Sequence, residues 1–186
     1  MGMLHKLSMK FVDLINIDNK NDVEILSFAA ESVFSTLINI IGLILISALF
    51  NVTTEMLVYI VFFASLRASV GGRHAKNHIL CFVQYLFISM LAIFLSLWVY
   101  DKWFIPIVVV VLLGLSCLFV FIFAPMDHPN RPFTEDEFIR FKKRSRMFIA
   151  CLICVCAVMF LFGLELFASI GATALFINSV TLVRKM

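Results

Sequence analysis

The run FIPIVVVVLLGLSCLFVFIFA, residues 104–124, carries no charged side chain. A helix needs roughly 20 apolar residues to cross about 30 Å of hydrocarbon, and this run meets that length. Its single proline, Pro106, falls in the first turn, where a missing N–H costs little. The run therefore reads as a membrane-spanning helix, and it sets the frame for the rest of the chain.

Working outward, residues 33–50 and 79–100 are apolar and uncharged in the same way. Residues 52–67 form a shorter candidate, with its ends expected to snorkel or to thin the bilayer locally. The stretch 147–183 is too long for one crossing, and its only charge is Glu165, flanked by Gly163 and Gly171. It divides there into 147–163 and 166–183, joined by a tight turn. Six hydrophobic segments result, with loops at 68–78 and 125–146. Composition agrees: 62% hydrophobic, 15% charged and a mean hydropathy of +1.04 lie outside the range of soluble domains. A net charge of +3 makes no case for nucleic acid, and the 21 phenylalanines fit lipid and interhelical packing better than base stacking. The expected fold is an all-α polytopic membrane bundle, one domain over 31–186.

Residues 1–30 place Leu4, Leu7, Phe11, Leu14 and Ile15 at helical spacing, with Lys6, Lys10 and Asp13 elsewhere around the wheel. This pattern predicts an amphipathic helix, lying in the membrane interface or capping the bundle. No short apolar run ends in a small-residue cleavage site, so the first span is expected to carry the targeting information.

Basic residues test the division. Threading six spans puts every lysine and arginine except Lys102 on one side, out of fifteen in total. That asymmetry is a positive-inside signal, predicting cytoplasmic termini and cytoplasmic loops 68–78 and 125–146. A shift of one span would scatter the charges.

Five cysteines lie at 81, 117, 151, 154 and 156. Four sit inside apolar runs and read as small hydrophobes. Cys151-x-x-Cys154-x-Cys156 lacks the polar neighbours that orient metal ligands. Cys81 differs. It closes the segment Arg67-Ala-Ser-Val-Gly-Gly-Arg-His-Ala-Lys-Asn-His-Ile-Leu-Cys81, where Arg67, Arg73, Lys76, His74 and His78 supply the cations and imidazoles that favour a reactive thiolate. Polar, titratable groups at a membrane boundary are a functional-site hypothesis by default.

Three readings of this segment stand side by side. It is a topology determinant with an ordinary boundary cysteine, a His-x3-His-x2-Cys metal site with no fourth ligand in view, or a nucleophile with its base. In an unbroken helix His78 reaches Cys81 at i−3. His74 would stand about 10.5 Å along the axis from Cys81, at about 1.5 Å per residue, too far for a hydrogen bond. A His74–Cys81 pair therefore requires residues 71–76 to leave helical geometry, which Gly71-Gly72 permits.

The second loop carries Ala124-Pro-Met-Asp-His-Pro-Asn130-Arg-Pro132 and then the basic run Arg140, Lys142, Lys143, Arg144 and Arg146. That run orients the chain and attracts anionic lipid headgroups; steering of an acidic peptide is the other reading. Gly-Gly-x-His74-x6-Cys81, combined with the Pro-x4-Asn-x-Pro loop, the basic run and the hydropathy profile, resembles the accessory gene regulator B (AgrB) family over essentially the whole chain. These are membrane cysteine endopeptidases of Gram-positive bacteria.

The resemblance implies that Cys81 is the nucleophile and His74 the general base, with Arg67 and Gly72 at further family positions. It implies an AgrD-like precursor peptide as partner, and cleavage of that peptide's C-terminal tail through an acyl-enzyme thioester. Cyclisation to a quorum-sensing lactone or thiolactone would follow, at the cytoplasmic face of the cell membrane. Gln84 joins Arg67 and loop N–H groups as an oxyanion candidate, and Asn130 with the basic run as a substrate-binding candidate. No metal or cofactor is expected. Membrane lipids are expected partners, and a wide apolar surface on short helices points to a homodimer. The competing function is a small peptide transporter without proteolytic activity, using Glu165, Asn39 and the histidines as a path.

Overall fold

A computed structural model of the protein describes residues 20–71, 78–126 and 134–183. Among these residues it is all-helical. The elements are α1 (Lys20–Leu49), α2 (Thr53–Val70), α3 (His78–Tyr100), α4 (Ile105–Phe123), α5 (Glu135–Leu161) and α6 (Glu165–Val180). Four stretches are long and apolar enough to cross a membrane: Thr53–Val70, Leu80–Tyr100, Ile105–Phe123 and Glu135–Leu161. Val33–Leu49 and Glu165–Val180 are apolar but shorter. The chain is a polytopic helical membrane protein.

Two boundaries differ from the sequence reading. Residues 20–30 belong to the same continuous helix as the first apolar segment; between Lys20 and Gly42 the sequence offers no Gly or Pro to break it. The rest of the expected amphipathic helix, residues 1–19, lies outside the described residues. The loop assigned to 125–146 also shortens, because α5 starts at Glu135, about three turns before the apolar segment that begins at Met147. Thr134 explains this: its hydroxyl accepts from the Glu137 N–H while the Glu137 carboxylate accepts from the Thr134 N–H. This reciprocal cap satisfies two orphan donors, and the acidic first turn Glu135-Asp-Glu137 complements the helix dipole. Hydropathy locates an apolar stretch; the cap locates the helix.

The helix hairpins bring the C-terminal ends of α2, α4 and α6 and the N-terminal ends of α3 and α5 to one end of the bundle. Lys102 lies at the other end, beside Trp98 and the highly exposed Trp103, in the manner of an aromatic interfacial belt. Leu45, Phe87, Ile107, Val110 and Leu118 point outward, as lipid-facing side chains do.

α6 is the hub, packed against α2, α3, α4 and α5. At about 1.5 Å per residue its 16 residues fall short of a bilayer. A helix wrapped by protein need not match the lipid thickness. Its buried face is built from small residues, among them Ala168, Ser169, Gly171, Ala172 and Ala174, which let neighbouring backbones approach closely. Buried serines Ser47, Ser69, Ser89, Ser169 and Ser179 donate back to the carbonyl three residues earlier, so they need no partner from another helix.

Gly171 faces both Cys156 on α5 and Phe62 on α2. A Cβ there would stand 3.0 Å from the Cys156 sulfur and 3.1 Å from the Phe62 ring. Gly171→Val is therefore expected to force the hub apart and to destabilise the fold by about 1–3 kcal/mol, as overpacking does. Thermal unfolding in detergent micelles would read this, and an unchanged midpoint would show that the contact yields freely.

Candidate active site at Cys81

The site is assembled around the last two turns of α2. That helix stops at Val70 because Gly71 takes φ +76° and ψ −161°, a backbone region essentially reserved for glycine. The Gly71 N–H still donates to the Arg67 carbonyl at 3.1 Å, closing the final turn. Helical geometry thus ends at Gly71, the position where a His74–Cys81 pair needs it to end. His74 and Gly72 themselves, with Asn130 of the second loop, lie outside the described residues. His78 opens α3.

The two sequence motifs meet here. After α4 the chain passes through a cis Ala124–Pro125 peptide, and the Met126 N–H donates to the Val70 carbonyl at 3.1 Å. The Met126 carbonyl oxygen lies 2.9 Å from where a Cβ on Gly71 would stand. The start of the Pro-rich loop is therefore docked by backbone contact against the end of α2 at Val70 and Gly71. A second clasp comes from α5, where the buried Ser145 hydroxyl lies 2.7 Å from the Ser69 carbonyl and 2.9 Å from that of Phe141, sharing its one hydrogen between them.

Cys81 is half-buried, one turn into α3, with a free thiol. Arg67 approaches it from α2 closely enough for the two to interact electrostatically, and Tyr85, one turn beyond Cys81, joins both. Arg67 Nη1 donates to Thr181 Oγ1 at 3.0 Å. Below this polar group the Tyr85 ring packs on Phe63, centroids 4.8 Å apart, and Phe63 stacks on Tyr59 at 5.7 Å. The result is a half-buried thiol beside a half-buried guanidinium, floored by aromatic rings. Such a site offers a nucleophile and a cation that can stabilise developing negative charge.

Among the sequence candidates, the structure brings Arg67 and Cys81 together, and Gly71 closes the turn that carries Arg67. Gln84 is exposed on the neighbouring face of α3; Tyr85 occupies the position beside Arg67 instead. Tyr85 was not singled out from sequence, although its i+4 spacing from Cys81 places both on one helix face. The basic run divides. Arg140, Lys143 and Arg144 line an open groove of about 450 Å³ along α5 with Met147, Phe148 and Cys151. Lys142 sits 5.5 Å from the Phe138 ring centroid. Arg146 turns to α4, stacking on Phe121 at 4.8 Å and donating to its carbonyl at 3.3 Å, so it packs two helices together. Glu165 opens α6 at the end of the bundle opposite Cys81.

No solved structure matches the chain. Two relatives from Clostridium perfringens do. A "Putative AgrB-like protein" of strain SM101 / Type A is 32% identical over 144 residues, covering 75% of this chain and 67% of the relative. A "Putative AgrB-like protein 2" of strain 13 / Type A is 31% identical over 136 residues, covering 70% of this chain and 63% of the relative. The chain thus spans about two thirds of the length of these curated relatives. The family model of accessory gene regulator B matches residues 4–182, which contain all of the described helices and the Cys81 site with them. The chain belongs to the accessory gene regulator B (AgrB) family.

Proposed function

We propose that this protein is a membrane cysteine endopeptidase that removes the C-terminal tail of an AgrD-like precursor peptide and promotes cyclisation of what remains. The observation that carries the proposal is the meeting of Cys81 with Arg67 beneath a helix break at Gly71. Family membership places the protein in the agr quorum-sensing system; the thiol site supplies a chemistry for it.

In this mechanism His74 takes the proton from the Cys81 thiol, and the sulfur attacks the carbonyl preceding the tail. His74 then gives the proton to the departing amine, leaving an acyl-enzyme thioester and a free tail. A thiol or hydroxyl of the bound peptide next attacks the thioester, forming a ring and returning Cys81 as thiol. Water competes for the same thioester, so the peptide must be held bent, where effective molarity favours ring closure. The aromatic floor of Phe63 and Tyr85 supports that reading by limiting water near the sulfur. Forming a thioester from an amide is uphill, which makes removal of the tail fragment part of the driving force. The positive-inside asymmetry supports a cytoplasmic site, where an unexported precursor would meet it.

Co-expression with an adjacent small reading frame encoding such a peptide, followed by mass spectrometry, tests the proposal. Two products are expected: an acidic tail, and a cyclic peptide one water lighter than the matching acid. His74→Ala is expected to stop tail release, while His78→Ala keeps it. The reverse result would make His78 the base, and release by both variants would remove histidine from the mechanism.

A further inference from the structure

The mechanism above leaves α6 without a part, yet the last turn of this helix reaches the site. Asn178 is fully buried, and its Nδ2 donates to the Phe63 carbonyl at 2.7 Å. Thr181 Oγ1 donates to the Asn178 carbonyl at 2.7 Å. That bond commits the only hydrogen of the hydroxyl, so its remaining lone pairs accept, and Arg67 Nη1 donates to it at 3.0 Å. Phe63 and Arg67 are one turn apart on α2. α6 therefore grips α2 at two successive levels, once through backbone and once through the guanidinium. An arginine at a membrane boundary otherwise extends toward water and headgroups. This one is instead turned inward beside Cys81 and Tyr85.

We propose that Thr181 and Asn178 are positioning residues which hold the Arg67 guanidinium beside Cys81, making the end of α6 a working part of the thiol site. The inference rests on the reading of Cys81 as nucleophile. Held in place, the cation faces the negative charge that appears on sulfur and then on the attacked carbonyl oxygen, with no reorganisation needed at the moment of reaction. Thr181 acts only through Arg67.

The test uses the full chain in lipid vesicles with four variants: Thr181→Val, Thr181→Ser, Arg67→Gln and the Thr181→Val/Arg67→Gln double. One readout is the rate of Cys81 alkylation by iodoacetamide, resolved from the other cysteines by peptide mass mapping; it needs no precursor. The other is kcat and KM for tail release. Thr181→Val is expected to slow alkylation about threefold, since a neighbouring cation favours the thiolate that reacts. It should lower kcat about tenfold with KM within about twofold. Thr181→Ser should recover both, and Thr181→Val should add nothing in the Arg67→Gln background. Wild-type behaviour of Thr181→Val, additivity with Arg67→Gln, or failure of serine to rescue would each overturn the proposal. If the valine variant does not fold, Thr181→Ala is read in the same way. The two levels separate cleanly. Coupled alkylation effects without tail release by the wild type would sink the protease reading and keep the positioning role. Cys81-dependent tail release with a neutral Thr181→Val would do the opposite.

Discussion

Cys81→Ala is expected to reduce tail release by at least about a thousandfold, the scale seen when an enzyme loses its nucleophile. No other cysteine among the described residues can stand in. Cys117 lies within α4, Cys151 and Cys154 are exposed along α5, and Cys156 is buried against the hub at Gly171. None of them is paired with Arg67. Cys81→Ser should lose nearly as much, because a serine hydroxyl has little anionic character without a far stronger base. Since Cys81 is half-buried at a helix start, both variants should insert and unfold like the wild type, which thermal unfolding in micelles verifies. Tail release at the wild-type rate by the alanine variant would end the endopeptidase reading.

Gly71→Ala is the second large effect. Any other residue at φ +76°, ψ −161° is strained by about 1–3 kcal/mol. The new Cβ would also stand 2.9 Å from the Met126 carbonyl oxygen, which is backbone and cannot rotate aside. Relief requires undocking Met126 from Val70 or re-aiming the chain toward residues 72–77. Either movement disturbs the end of α2 that carries Arg67, and about 1 Å of misplacement can lower a rate a hundredfold. We expect a lower unfolding midpoint and a loss of that size in tail release. Gly114→Ala is the control: the site lies in α4 with nothing within 4 Å of a new Cβ, so both quantities should stay near wild type. Equal behaviour of the two variants would show that the Gly71 geometry is not required.

Hydropathy expresses what lipid demands of a helix and little of what protein does. The run 104–124 became Ile105–Phe123 almost unchanged, because lipid demands continuous apolar side chains and tolerates no interruption. The start of α5 was missed for the complementary reason. Glu135 to Arg146 is helical through capping and local propensity, which an apolar count ignores, although Thr134-x-x-Glu137 was there to be read. The break at Gly71 was expected only through the family resemblance, which selects His74 over the His78 that helical spacing favours; the glycine pair merely permits it. The lateral order of helices left no trace in a linear pattern, so nothing marked α6 as the hub. One signal was legible: Asn178 and Thr181 place two polar groups three residues apart at the C-terminal end of an apolar segment, and polar residues within membrane helices mark function or contact.

The bonds to α2 from Thr181, Asn178, Ser145 and Met126 all arrive between Phe63 and Val70. Those two turns act as the datum from which α6, α5 and the chain after α4 take their height in the membrane. A slip of α2 by one residue, about 1.5 Å of rise and 100° of rotation, would disengage all four connections together. Register here is all or nothing: the thiol site keeps its alignment as a whole, or the three neighbouring segments lose their common reference at once.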